Sequence, residues 1–209
     1  MKAYQDASLA PVRRAKALLE EMTLAEKIGQ LNQRLYGFRI YERKCVNGED
    51  TIELSEEFCQ EVEKYSGLGV LYGLYRADPW ADKNYETGLT GVLSKKAYNQ
   101  VQRYVLEHSR LGIPVMMSSE CPHGHQALDG YLLPVNLLAG ATFDPAMVRA
   151  AYRVSGRQLQ NMGVDLALMS MLDVLRDPRW GRSEECYSED PYLSARMAEA
   201  AVILSLIHI

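Results

Sequence analysis

Two stretches of the chain carry side chains dense enough in charge and nitrogen to do chemistry. The first, "ECPHGHQALDG" from Glu120 to Gly130, sets a carboxylate ahead of two histidines that flank a glycine. The second, "RDPRWGRSEECYSEDP" from Arg176 to Pro191, places arginines at 176, 179 and 182 among Asp177, Glu184, Glu185, Glu189 and Asp190. Guanidinium forks suit bidentate pairing with carboxylates, and such pairs order a long loop. An arginine left over from that lacing can hold the oxygens of a ligand. His123 and His125 could act as acid/base groups or metal ligands, but no third ligand stands at a recognisable spacing. A histidine buried and hydrogen-bonded to loop backbone is the competing expectation. For Glu120, a plain solvated loop acid competes with a carboxylate fixed by the turn that contains Pro122 and Gly124.

Each stretch follows a short apolar run, and the runs set where the charges go. "GVLYGLY", "IPVMMSS" and "VDLALMSMLDV" read as strands. Between them lie amphipathic segments with start signals. Thr23 and Glu26 form a capping-box pattern, Ser55 precedes "EEFCQEVEKY", a helix runs from Ser94 to Gly112, and Asp144–Pro145 opens a helix that ends at Gly163. Pro11 opens a first helix through Leu18 and Met22, and Asp190–Pro191 opens the last. Apolar strands alternating with helices imply parallel βαβ units and the α/β class. No strand is followed by a Rossmann fingerprint or a Walker loop, which favours a (β/α) barrel of the TIM type. About four such units are expected, whereas a closed eight-unit barrel needs roughly 250 residues. An incomplete barrel is therefore expected, spanning 1–203. Residues 204–209, within "ILSLIHI", are expected to be foreign to the fold.

Composition narrows the partners. A net charge of −4 over 209 residues, 47% hydrophobic and 24% charged, fits an ordinary globular chain and gives no basic footprint for nucleic acid. No window resembles a membrane span or a signal peptide, so a cytoplasmic location is expected. Cys45, Cys59, Cys121 and Cys186 lack paired spacing and are expected to be free thiols.

"SSECPHGHQA", "FDPAMVRAAYRVSGRQLQNMGVDLAL" and above all "LDVLRDPRWGRSEECYSEDPYLSARMAEAAV" resemble the N-terminal domain of glycoside hydrolase family 3, the retaining β-glucosidases and β-xylosidases. "MTLAEKIGQL" and "GVLYGLYRADPW" are similar to the same family. The resemblance implies that Glu120 matches the family carboxylate that binds hydroxyls of the terminal sugar, and Arg182 its sugar-binding arginine. His123, His125 and Trp180 are candidates for supporting roles. Many members carry aspartate at the Glu120 position. The longer side chain leaves less room there and keeps glucose against xylose open.

The family's aspartate nucleophile and its acid/base residue, about 5–5.5 Å apart in retaining enzymes generally, have no match in this sequence, nor does its Lys-His pair. The resemblance thus implies an exo-acting β-glycosidase needing no cofactor or metal, of which this chain alone is inactive. Two rivals remain: a non-catalytic carbohydrate-binding fragment, and an unrelated half-barrel enzyme that dimerises to close its sheet. The oligomeric state is left open.

Overall fold

The computed structural model describes residues 2–169 and 171–206. Two helices come first, α1 (Pro11–Glu21) and α2 (Leu24–Leu31). The capping box forms as the spacing requires: Glu26 N donates to Thr23 Oγ1 at 3.2 Å, and Thr23 N donates to Glu26 Oε2 at 2.8 Å. Glu26 is almost fully buried and receives Arg110 Nε at 2.8 Å and Nη2 at 2.7 Å. These bonds from Arg110 hold its pKa down at about 2. The apolar stripe of α2 is left uncovered: Leu24, Ile28 and Leu31 are all exposed.

An antiparallel hairpin follows, β1 (Tyr41–Val46) and β2 (Glu49–Leu54), with Val46 opposite Glu49. Its two-residue turn, Asn47–Gly48, takes positive φ at both positions, 54° and 81°. That is the turn whose twist matches a right-handed hairpin. α3 (Glu56–Tyr65) begins at Ser55, whose Oγ accepts from Phe58 N.

The site is positioned by a parallel sheet of β3 (Val70–Tyr72), β4 (Met116–Glu120) and β5 (Leu166–Leu168), in that order. α4 (Gly91–Glu107) connects β3 to β4. A short α5 (Asn136–Gly140) and α6 (Pro145–Asn161) connect β4 to β5, and α7 (Pro191–Leu206) follows β5. Asp144 caps α6 by accepting from Ala146 N and Met147 N. The parallel α/β pattern is as expected, with differences in detail, among them the hairpin and the end of α4 at Glu107 rather than Gly112. α4 starts at Gly91 rather than Ser94. Three strand-helix units form among the described residues rather than about four, and the sheet does not close. Where another strand would lie beside β3 there is a single parallel bridge, Tyr36 to Tyr72. The chain leaves that line at once into a 3-10 turn, Gly37–Arg39, and Gly37 packs against the backbone of Leu74 too closely for any Cβ.

Two apolar clusters result. The larger includes Phe58, Val62, Leu71, Val101, Val105 and Met117, and joins α3 and α4 to the sheet. The smaller joins Val148 and Tyr152 of α6 to Tyr187 and to Met197, Ala200 and Ala201 of α7. All four cysteines are free. No helix among the described residues is long and apolar enough to cross a membrane. The tail assigned to 204–209 falls partly within α7, and its last three residues lie outside the described residues.

Candidate functional site

Both sequence-marked stretches emerge at the C-terminal ends of adjacent strands, and they converge. Glu120 is the last residue of β4, and beyond it the chain folds back sharply. Cys121 N still pairs with Leu168 O at 2.8 Å, extending the ladder to β5, while Gln126 N donates to Glu120 O at 3.1 Å. Gly124 makes this reversal at φ +90°, where an added Cβ would collide with the Tyr131 carbonyl. Leu133 N donates to His123 O at 2.8 Å and closes the loop. Tyr152 of α6 braces it from behind by donating to Pro122 O at 2.6 Å.

A cleft of about 380 Å³ opens between this loop and the one after β5. Its polar lining is Arg76, Glu120, His123, Gln126, Arg182, Glu184 and Glu185. Glu120 Oε1 accepts from the Tyr72 hydroxyl at 2.6 Å and lies 3.5 Å from Arg76 Nη1. Arg76 is pinned in turn by Asp78 Oδ2, at 2.7 Å from Nε and 2.6 Å from Nη2. Burial, and then the neighbouring Glu120 carboxylate, push the Tyr72 phenol well above its usual range, so it stays a donor. The carboxylate is thus oriented from one side only. Two further polar atoms on the lining, His123 Nδ1 and Gln126 Oε1, are buried without a hydrogen-bond partner among the described residues. Buried polar atoms are rarely left so.

Arg182 faces the cleft from the opposite loop and pairs bidentately with Glu185, at 2.8 Å and 2.6 Å. Its charge is favoured first by that pair and more weakly by Glu120 and Asp173. The lacing expected of the arginines is seen at Arg182–Glu185 and again at Arg179–Asp177, where Nε and Nη2 reach the carboxylate at 2.9 Å and 2.6 Å. Arg176 is exposed.

The supporting candidates separate. His123 lines the cleft. His125 does not: it is fully buried behind the wall, 2.9 Å from Ser119 Oγ, so its partner is a strand hydroxyl rather than loop backbone. Burial lowers its pKa to about 4, which keeps it neutral. Trp180 sits partly exposed on the turn closed by its N–H to Asp177 O, and is not among the lining residues. Among the described residues no cluster of side chains could hold a metal ion. Tyr72, Arg76 and Gln126 are the members that charge spacing alone did not single out.

Residues 23–203 match the model of the glycosyl hydrolase family 3 N-terminal domain. The chain belongs to glycoside hydrolase family 3. Among family 3 relatives, the chain is 29% identical over 185 residues to a periplasmic beta-glucosidase of Salmonella typhimurium, covering 88% of this chain and 20% of that protein. It is 31% identical over 132 residues to a beta-xylosidase of Formosa agariphila, covering 60% and 18%. The solved structure of a β-glucosidase from Erythrobacter marinus superposes with a TM-score of 0.72 at 29% identity, covering 96% of this chain and 24% of that one. The chain therefore spans about a quarter or less of the length of these relatives.

Proposed function

We propose that the chain is the N-terminal part of a retaining, exo-acting β-glycosidase that removes terminal β-D-glucosyl or β-D-xylosyl residues. Its parallel sheet is then the opening portion of a TIM-type barrel. Glu120 and Arg182 hold hydroxyls of the terminal sugar, and His123 and Gln126 supply further polar contacts. The observation that carries this reading is the convergence of Glu120 and Arg182 on one cleft whose lining keeps unpaired polar atoms. A sugar offers many hydroxyls in fixed directions, and preoriented carboxylate and guanidinium groups read them with little loss of freedom. Glu120 is preoriented by Tyr72 and Arg76. Arg182 is held by Glu185, so a sugar hydroxyl either shares the fork or displaces that carboxylate.

No aspartate nucleophile or acid/base residue of the family's type has been matched to this chain. By itself it is expected to bind saccharide without cleaving it. The reading is tested with the protein that carries this chain, assayed on p-nitrophenyl β-glucoside and β-xyloside. Arg182→Lys keeps the charge but loses the planar fork, and kcat/KM should fall at least about tenfold. Unchanged kinetics would remove Arg182 from the site. If no β-glycoside is cleaved while the chain binds glucose or xylose and Arg182→Ala abolishes binding, the non-catalytic reading takes its place.

A further inference from the structure

The loop after β4 borders a second cleft, away from Glu120. This one lies between α4 and α6 and, at about 510 Å³, is larger than the cleft that holds Glu120. Tyr75 and Met162 form its base, joined by the Tyr75 hydroxyl, which donates to Met162 O at 2.6 Å. The walls are tied to one another without filling the space. Asp129 of the loop accepts from Gly91 N at the start of α4, and Gln158 of α6 accepts from Tyr131 N at 3.0 Å. Tyr98 of α4 rests against Gly163, where an added Cβ would stand 2.8 Å from its ring. The cleft is thus held open by bonds among its own lining, and its volume falls within the range of about 300–1,000 Å³ usual for small-ligand pockets.

The chemistry of the lining narrows what fits. Lys95, Asn99, Gln160 and Asn161 border the cleft with exposed side chains that make no hydrogen bond or ion pair among the described residues. Lys95 and Asp129 carry opposite charges, so the lining favours neither a phosphate nor a free cation. The amides of Asn99, Gln160 and Asn161 each offer donors and an acceptor together, which an apolar molecule leaves unused. A hydroxyl is likewise donor and acceptor at once. Tyr98 and Met162 add apolar surface suited to the C–H groups of a sugar ring. A neutral saccharide combines both kinds of contact.

We propose that the cleft between α4 and α6 binds a neutral mono- or disaccharide, at a site separate from the one that holds Glu120 and Arg182. The loop after β4 is the partition: Glu120, His123 and Gln126 line one cleft, and Asp129 lines the other. The two linings share no residue, so the second site stands without the terminal-sugar reading.

Lys95 reports occupancy directly, because its exposed amine can be acetylated in the whole protein that carries this chain. With D-glucose or D-xylose raised to about ten times the half-saturating concentration, acetylation of Lys95 should slow about tenfold, while that of Lys27, exposed on α2, should not change. Asn99→Ala combined with Asn161→Ala should remove this protection without moving the melting midpoint, since both side chains are exposed and unbonded. The site is overturned if slowing does not saturate, if Lys27 slows equally, or if protection survives the double variant. A Lys95 that resists acetylation without sugar also overturns it, because another part of the protein then fills the cleft. Arg182→Ala separates the two sugar sites. Protection of Lys95 should persist in that variant, and its loss there would put the sugar in the Glu120 cleft alone. Unchanged hydrolysis kinetics in Arg182→Lys, by contrast, would sink the terminal-sugar site and leave the Lys95 result standing.

Discussion

The loops after β4 and β5 supply opposite walls of one cleft, yet they are built on different principles. The first is fixed by backbone and burial. Gly124 makes a reversal that no other residue fits, His125 is sealed behind it, and Tyr152 holds Pro122 from α6. The second is laced by side-chain pairs close in sequence, Asp177–Arg179 and Arg182–Glu185, each joining an exposed arginine to a half-buried carboxylate. Among the described residues its ties to the rest of the fold include Asn136 Nδ2, which donates to Glu185 O at 2.8 Å, Gly140 packed on the Tyr187 carbonyl, and Tyr187 in the smaller core. The contrast teaches that a rigid wall needs buried backbone constraint, while local ion pairs give order that solvent and ligand can exchange. A carboxylate that must be aimed sits on the first wall, and a guanidinium that can release a partner sits on the second.

The contrast can be broken most severely at Gly124. Gly124→Ala forces a side chain into left-handed backbone and against the Tyr131 carbonyl, and should cost about 4 kcal/mol. A thermal melt reads this, and an unshifted midpoint would mean that the first wall is as adaptable as the second. His125 offers the next largest effect. Its folded pKa of about 4 lies below the ordinary value of 6.5, so the unfolded chain binds protons more readily. Its contribution is complete above pH 6.5 and is lost as pH falls toward 4, a span on the order of 3 kcal/mol. Melts across that range should show the decline, and His125→Gln should flatten it. An equal decline in the variant would assign the effect elsewhere. The smallest effect sharpens the other side. Arg179 is 89% exposed at its side chain, so Arg179→Ala should leave the melting midpoint unmoved despite losing a bidentate pair. A clear destabilisation would show that the second wall carries more constraint than its short-range pairs suggest.

Local signals made much of this fold legible. Thr23 with Glu26, Ser55, and Asp144 with Pro145 each mark a helix start that the structure places at that residue. Caps act within one turn, so the sequence carries them whole. The hairpin was missed although Asn47–Gly48 is a strong turn signal, because its strands are mostly exposed and their charged residues hide the alternation. Glu120 and Arg182 could be picked out by their motifs. Their surroundings could not: Arg76 and Glu120 are 44 positions apart, and only the order of β3 and β4 brings them together. The bond of His125 to Ser119, and the separation of Trp180 from the cleft, are likewise products of how the turns close.

The division of the apolar interior into two clusters has a consequence for cooperativity. Glu120 rises from a strand anchored in the larger cluster, through Met117 beside it. Arg182 depends on a loop secured through Tyr187 to the smaller cluster of α6 and α7. A small core of this kind can open without the whole molecule unfolding. Amide hydrogens of α7 and of the second loop should then exchange with solvent as one unit, sooner than those of β4. In such excursions Glu120 stays on its strand while the loop that carries Arg182 comes and goes.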